Sequence, residues 1–169
     1  MIGFKLDEVM TGTHEFSEVG WPKGMHPFHY SLTWGNQNLL NFLNPFSKEF
    51  LSSETKGIIT IGGLVNKAVC QGTLQMLYFS ERKIRYDFTF KDNKGAPYRY
   101  VGEKINLWPW NLHKTHVTCY GTVTHLDTGK NISTSVVYFP YREIIPFIFS
   151  FRLRWGKVFK YPAGGFHDI

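Results

Sequence analysis

Apolar and polar residues alternate along much of this chain with a period of two. The clearest example is residues 84–90, where Ile, Tyr, Phe and Phe alternate with Arg, Asp and Thr. Because successive side chains of a strand point to opposite faces of a sheet, this pattern predicts a strand with one buried face. Residues 92–95 (Asp-Asn-Lys-Gly) have turn chemistry, so residues 98–105 are the predicted return strand of a hairpin.

Similar alternation predicts about eight strands, most of them joined by short connections. They are residues 4–16, 28–34, 56–61, 73–78, 84–90, 98–105, 116–126 and 132–139. A series of hairpins of this number indicates a mainly β fold, an antiparallel up-and-down (lipocalin-like) β-barrel, since closure removes the unpaired edges of an open meander. An eight-stranded barrel is filled by side chains or holds one small ligand.

Two segments interrupt the β pattern. Residues 38–51 carry apolar residues at helical spacing before Pro45, which predicts a short helix or two helical turns. Residues 141–154 follow one proline and contain another, and they fit either a kinked helix that closes one end of the barrel or a further strand. The predicted barrel therefore carries one or two short helices, and a loop-like tail follows at residues 161–165.

The composition is typical of one globular domain, residues 1–169. A hydrophobic content of 43% excludes a disordered chain, and an aromatic content of 17% favours strands and lined cavities. Charges within the first seven residues argue against a secretory signal, and the longest apolar run is too short to span a bilayer. Cys70 and Cys119 lie in no paired-cysteine motif and are expected to be buried thiols, which favours a reducing, cytoplasmic location.

Basic residues exceed acidic ones, with a formal charge of +6 and a pI of about 9.3. They are spread along the chain, which favours a solvated surface over a nucleic-acid site, and no nucleic-acid partner is predicted. Residues 144–160 combine Ile, Phe, Leu and Trp with Arg and Lys. This segment fits an element packed on the barrel with its basic residues in water, which is favoured, or a peripheral contact with an anionic membrane.

The most unusual stretch is residues 106–116, where Trp108 and Trp110 flank a proline and His113 and His116 follow. Large aromatic side chains on a loop expose apolar area unless they cover a core or a ligand. The loop is therefore either a plug folded onto its own barrel or a lid over the barrel mouth, where ligand sites of barrels lie. The two histidines have no spacing that fixes a third ligand, so no metal site and no cofactor are predicted.

Glu103 and His116 are the candidate catalytic residues. On a strand, Glu103 shares a face with Val101 and Ile105, while Tyr98, Tyr100, Gly102 and Lys104 share the other face. If the tyrosine face is internal, Glu103 is a surface partner of Arg99 or of a lysine on a neighbouring strand. If the Val101 face is internal, Glu103 is buried and becomes a candidate general base beside a histidine.

The leading hypothesis is that the barrel binds a hydrophobic small molecule, such as a lipid or a sterol. Its expected lining consists of Tyr86, Phe88, Tyr98, Tyr100 and Tyr138, with Trp108, Trp110 and His113 closing the mouth. Two alternatives remain: a barrel enzyme that uses Glu103 and His116 on a hydrophobic substrate, and a module that interacts with another protein.

The order of these segments resembles the non-flavin β-domain attached to bacterial sterol-oxidase-like enzymes of the glucose-methanol-choline oxidoreductase group. The resemblance covers residues 4–154 and rests on short motifs, which are Phe4 with Glu8-Val9-Met10-Thr11-Gly12, Leu39 with Phe42-Leu43-Asn44-Pro45, Gly57-Ile58-Ile59, Gly62-Gly63-Leu64, Gly72-Thr73-Leu74, Arg85-Tyr86-Asp87-Phe88-Thr89-Phe90, Gly102-Glu103-Lys104, Thr118-Cys119-Tyr120-Gly121-Thr122 and Phe149-Ser150-Phe151-Arg152.

This resemblance implies a module that accompanies lipid or sterol chemistry, with a flavoprotein oxidoreductase as a partner. The chain contains no G-x-G-x-x-G dinucleotide fingerprint, because Gly62-Gly63 lacks the third glycine and a following helix. The oxidase activity of the group is therefore not implied for this chain.

Overall fold

Eight antiparallel strands close into a barrel in the computed structural model of this protein. The structure describes residues 1–156 and 158, except for the side chains of Leu112 and His113. The strands are β1 Ile2–Phe16, β2 Met25–Asn36, β3 Ser52–Ile61, β4 Val65–Leu77, β5 Lys83–Lys91, β6 Pro97–Lys104, β7 Thr118–His125 and β8 Lys130–Tyr138, with an added strand β9 Arg152–Trp155. The helices are α1 Leu39–Leu43, α2 Leu112–Thr115 and α3 Ile144–Phe149, and a 3-10 turn spans Tyr141–Glu143. The predicted mainly β, up-and-down barrel with short helices is confirmed.

The long first strand closes the barrel. On one edge, β1 pairs with β2 from Phe4 to Glu15. On its other edge, the second half of β1 pairs with β8, while Ile2 to Lys5 pair with β9. The backbone N–H of Asp7 lies between these two pairings and donates to the hydroxyl of Ser150, just after α3, at 2.9 Å.

Up-and-down topology gives the barrel two ends with different coverings. We name as the mouth the end formed by the connections 37–51, 78–82 and 105–117 and by the segment 139–156 after β8. The opposite end, here the base, is formed by the short connections 17–24, 62–64, 92–96 and 126–129. All three helices therefore lie at the mouth.

The segment after β8 contains both of the structures predicted for residues 141–154. Pro146 stands in the first turn of α3, where its missing N–H costs no intrahelical hydrogen bond. The chain leaves the helix at Ser150 and becomes β9, which extends the sheet along the start of β1. Residues 157 and 159–169, which include the predicted loop-like tail, lie outside the described part of the chain.

Four aromatic rings in edge-on and tilted contact lie in the middle of the barrel, and we call them the aromatic plug: Phe28, Tyr30, Phe88 and Tyr100. Their ring centroids lie 5.0–6.2 Å apart, and each side chain is fully buried. The Tyr100 ring lies against Gly121, where an added Cβ would come within 2.3 Å of it. A glycine at this position therefore makes room for the plug, which divides the interior into a mouth half and a base half.

Candidate functional site

A charged cluster is buried in the mouth half of the barrel. Glu8 follows Phe4 and Leu6 on the inward face of β1, and Lys104 follows Tyr100 and Gly102 on the inward face of β6. The side chains of Glu8 and Lys104 are only 6% and 5% exposed. Buried charges are rare unless they are paired, so their position inside an apolar barrel needs a partner for each.

Glu8 and Lys104 pair with each other. The ammonium of Lys104 donates to Glu8 Oε1 at 2.8 Å, and the hydroxyl of Tyr86 donates to the two carboxylate oxygens at 2.9 Å each. Lys104 Nζ also lies 5.3 Å from the centre of the Tyr86 ring, within the range of a cation–π contact. Burial, with a further contribution from Glu8, raises the pKa of Tyr86 well above its ordinary value, so this phenol stays protonated and remains a donor.

A second polar pair lies closer to the mouth. The Tyr78 hydroxyl and His116 Nε2 are 3.1 Å apart, and the two rings are stacked with centroids 5.7 Å apart. Burial raises the pKa of Tyr78 to about 12, and Glu8 adds to this effect. Burial and the positive charge of Lys104 lower the pKa of His116. His116 is therefore a neutral imidazole at neutral pH, able to accept or donate a proton within this cluster.

Three polar atoms on β2 and β3 also lie in the mouth half of the interior, and they have no hydrogen-bond partner among the described residues. They are the indole N–H of Trp34 and the hydroxyls of Ser53 and Thr55. These residues are 5%, 2% and 1% exposed, and they alternate with outward-facing residues on their strands. Because native proteins satisfy most buried polar groups, these atoms are candidates for pairing with a ligand or with ordered water. The hydroxyls of Tyr30 and Ser135 and one ring nitrogen each of His26 and His125 likewise have no partner among the described residues.

Side chains from three of the connecting segments lie at the mouth. Leu107 is buried and its N–H donates to the carbonyl of Arg82, while the Arg82 guanidinium lies 3.6 Å from the centre of the Trp108 ring. Phe147 of α3 packs edge-on against Phe139 with centroids 5.5 Å apart. The 106–116 loop therefore buries Leu107 and holds the Trp108 ring against Arg82 at the mouth.

The predicted ligand-binding residues are distributed over the whole barrel. Tyr86 belongs to the buried ion-pair cluster, Phe88 and Tyr100 form part of the aromatic plug, and Tyr98 lies in the base half beside Phe90. Trp108 and Trp110 stack on each other at the mouth, with centroids 4.8 Å apart. Tyr138 is half exposed on the outer face. The side chain of His113 lies outside the described part of the structure.

The two predicted catalytic residues are not brought together. The tyrosine face of β6 is internal, so Glu103 lies on the outer surface, where Arg85 Nε donates to it at 2.9 Å and Lys83 lies 3.1 Å away. Arg99 pairs instead with Asp87. The carboxylate that the structure places in the mouth half is Glu8, whose charge opposes the lowering of the His116 pKa by burial and by Lys104.

The remaining nucleophiles and possible metal ligands give no further site. Cys70 and Cys119 are free and buried, and burial raises their pKa values to about 12 and about 11, so neither is a reactive thiolate at neutral pH. Within residues 1–156 and 158, no group of three or more His, Cys, Asp or Glu side chains is placed to hold a metal ion. In the same part of the chain, no helix has the length and apolar character needed to cross a membrane.

Fold and site together define this protein as a closed up-and-down β-barrel with a buried ion pair in one half of its interior, where Trp34, Ser53 and Thr55 also carry polar atoms without a described partner. Comparison of the chain with protein-family models, with curated proteins and with solved structures finds no match in any of the three.

Histidine burial predicts a loss of stability in mild acid. His14, buried in the base half, accepts from the Ser133 hydroxyl at 2.7 Å and donates to the Gly62 carbonyl at 2.9 Å, and burial lowers its pKa below the ordinary 6.5. The unfolded chain therefore binds more protons, so the free energy of unfolding should fall as the pH drops below about 6.5. Urea unfolding at a series of pH values measures this slope, and His14→Gln should make it shallower. An equally steep slope in His14→Gln would show that other groups cause it.

Proposed function

We propose that this barrel is a lipocalin-like binding module for a hydrophobic small molecule of lipid or sterol type, held in the mouth half of the interior. The observation that carries this proposal is the unpartnered set of Trp34, Ser53 and Thr55 inside the barrel. The indole N–H can donate, and each hydroxyl can donate and accept, so the set is suited to a neutral polar head such as a hydroxyl or a carbonyl. A ligand that pairs with them would remove the cost of their burial.

The charged cluster suits the same ligand class. Glu8 and Lys104 neutralise each other, so the mouth half offers oriented dipoles and not a net charge. That arrangement favours a polar but uncharged head group over a free fatty acid. Partly buried apolar side chains toward the mouth, including Leu6, Met76 and Phe139, would surround the apolar body of the ligand. Burial at about 25 cal/mol per Å² of apolar surface would supply most of the affinity.

The aromatic plug limits the size of the ligand. Phe88 and Tyr100, at 5.0 Å between centroids, occupy the middle of the barrel. The proposed site is therefore confined to one half, with access at the mouth through movement of the Trp108 loop or of α3.

Thr55→Val tests the proposal, because it removes one unpartnered hydroxyl while keeping the side-chain shape. Without ligand, the variant should be more stable than the wild type by about 1 kcal/mol, since a buried polar group without a partner is lost. Its affinity for a ligand should fall roughly fivefold to tenfold, the value of about one hydrogen bond. Native mass spectrometry after incubation with a lipid and sterol mixture identifies the ligand, and titration with that compound gives the affinity.

Thr122→Val is the matched control, because Thr122 lies on the outer face of β7 and should affect neither quantity. If no compound from the mixture is retained by the wild type, the binding proposal fails. If a compound binds and Thr55→Val binds it equally well, the site lies elsewhere on the barrel.

A second candidate function is acid–base catalysis on the same kind of compound. The observation that favours it is the neutral His116 hydrogen-bonded to Tyr78 beside the buried carboxylate of Glu8. In this alternative, Glu8 would act as the general base, the role for which the sequence pattern made Glu103 a candidate. A retained compound whose mass changes with time in the presence of the protein would favour the enzyme over the binding module.

A further inference from the structure

The exposed apolar side chains of this protein are concentrated at one end of the barrel. Each connection at the mouth contributes at least one, and we name as the apolar crown Leu40, Phe46, Phe79, Trp110, Ile145 and Phe149. Phe46, Phe79 and Phe149 are 96%, 81% and 83% exposed, so they stand almost free of the barrel. Apolar residues scattered singly over a surface need no explanation, but a ring of them around one opening does.

The base shows the contrast. Its described connections expose only Val19 and Leu126 as large apolar residues, with Met25 at the start of β2. Both ends contain loops that join adjacent strands, and the mouth also includes the segment after β8 that carries Ile145 and Phe149, so topology alone does not place apolar residues in the mouth loops. The difference reflects the sequences placed in the loops at the mouth.

Charged residues are also distributed unequally between the mouth and the base. The segments that form the mouth carry six basic and three acidic residues, whereas the connections of the base carry two basic and three acidic residues. On the outer face beside α3, Lys5, Arg152 and Arg154 lie on neighbouring positions of β1 and β9, and Asp7 is paired with Arg152. Burial, with contributions from Arg154 and Arg152, lowers the pKa of Lys5, and the Asp7 carboxylate opposes this change.

We propose that the apolar crown docks on the surface of an anionic lipid bilayer, so that the barrel mouth faces the lipid. Aromatic and aliphatic side chains on separate loops can enter the boundary between head groups and acyl chains, while the arginines beside them meet the anionic head groups. A protein partner or a second copy of this chain is the competing occupant. The excess of basic residues at this end favours the lipid surface, because it complements an anionic membrane and would repel a second copy of itself.

This inference does not depend on the small-molecule site. The crown consists of exposed residues, whereas Thr55 and the ion-pair cluster are buried. A bilayer contact at the mouth would nevertheless place the opening of the proposed site next to a reservoir of apolar compounds. Thr55→Val should therefore leave bilayer binding unchanged, and failure of either proposal can be recognised separately.

Co-sedimentation with vesicles tests the docking. We expect the protein to bind vesicles of phosphatidylcholine mixed with phosphatidylglycerol much more tightly than vesicles of phosphatidylcholine alone, and added salt should weaken the binding. The paired substitution Ile145→Ser and Phe149→Ser should reduce binding at least tenfold, since two large apolar side chains no longer enter the bilayer. Arg154→Gln should reduce binding to the anionic vesicles about fivefold.

Val19→Ser is the matched control, because Val19 is fully exposed at the base and should not affect vesicle binding. Phe79→Ser, on a different loop, repeats the test if the α3 variant loses its fold, and thermal unfolding shows whether it has. Equal partitioning of the wild type and the crown variants, or equal binding to neutral and anionic vesicles, would overturn the proposal. So would a stable dimer in sedimentation velocity that the crown substitutions dissociate, which would assign the crown to a second copy.

Discussion

Replacing Lys104 with methionine should lower the free energy of unfolding by about 3–5 kcal/mol, because it leaves the buried carboxylate of Glu8 without its cation. The ammonium and the carboxylate are 2.8 Å apart, and the pair lies inside the barrel with almost no exposure. Methionine can fill a similar volume along the strand, so the cost should come from the unpaired charge and not from a cavity. Urea unfolding followed by tryptophan fluorescence measures the difference.

The double variant Glu8→Gln and Lys104→Met distinguishes the cost of the unpaired charge from the cost of the changed side-chain shape. Glutamine keeps an oxygen that can accept from the Tyr86 hydroxyl, so the double variant should recover a large part of the stability lost in Lys104→Met. Lys130→Met is the control, since Lys130 pairs with Glu18 at 3.3 Å on the surface and should matter little. If Lys104→Met is as mild as Lys130→Met, the pair is not the buried interaction described above.

Much of the barrel can be predicted from the sequence because each hairpin is formed by residues that are close together in the chain. The alternation over residues 84–90, the turn at 92–95 and the return strand require only neighbouring residues, and β5 and β6 pair accordingly. The alternation of apolar and polar residues also indicates the buried ion pair of Glu8 and Lys104. Glu8 lies in phase with Phe4, Leu6 and Met10, and Lys104 shares the face of Tyr98 and Tyr100. A charge in phase with buried apolar residues predicts an interior ion, and this signal could have identified both residues.

The remaining parts of the site depend on closure of the barrel. No local pattern relates Ser53 and Thr55 on β3 to Trp34 on β2, because alternating Ser and Thr residues are also typical of solvated strands. Whether Glu103 belongs to the interior site likewise depends on which face of β6 becomes internal, and the residues of β6 alone leave that choice open. Once the tyrosine face is internal, Lys83 and Arg85 of β5 lie beside Glu103 on the outside.

The apolar crown could not be predicted because it combines loops that are far apart in the sequence. Phe46 and Phe79 lie in loops and Phe149 ends a short apolar run, and nothing in the sequence relates these three positions to one another. Only the up-and-down topology places their connections at one end of the barrel. The membrane interpretation of residues 144–160 was one of two open alternatives, and the exposure of α3 on the described residues is what favours it as a proposal.

Phe88→Ala should cost about 3–5 kcal/mol, the range for removing a large aromatic side chain from a core. Phe88 is 1% exposed, and its ring lies 5.6 Å from Tyr30 and 5.0 Å from Tyr100, so it is held on two sides by other members of the aromatic plug. Because these neighbours are attached to different strands of a closed sheet, they cannot collapse fully into the space, and a cavity should remain. Chemical unfolding gives the cost.

Tyr138→Ala is the informative comparison, because the sequence pattern assigns Tyr138 and Phe88 the same ligand-lining role. Tyr138 is 50% exposed on the outer face, so its removal should cost far less than that of Phe88. An apolar cavity in the plug should also bind a small apolar probe such as benzene, which would raise the unfolding temperature of Phe88→Ala but not of the wild type. If benzene stabilised the wild type equally, the middle of the barrel would already contain open space, and the ligand site would not be confined to the mouth half.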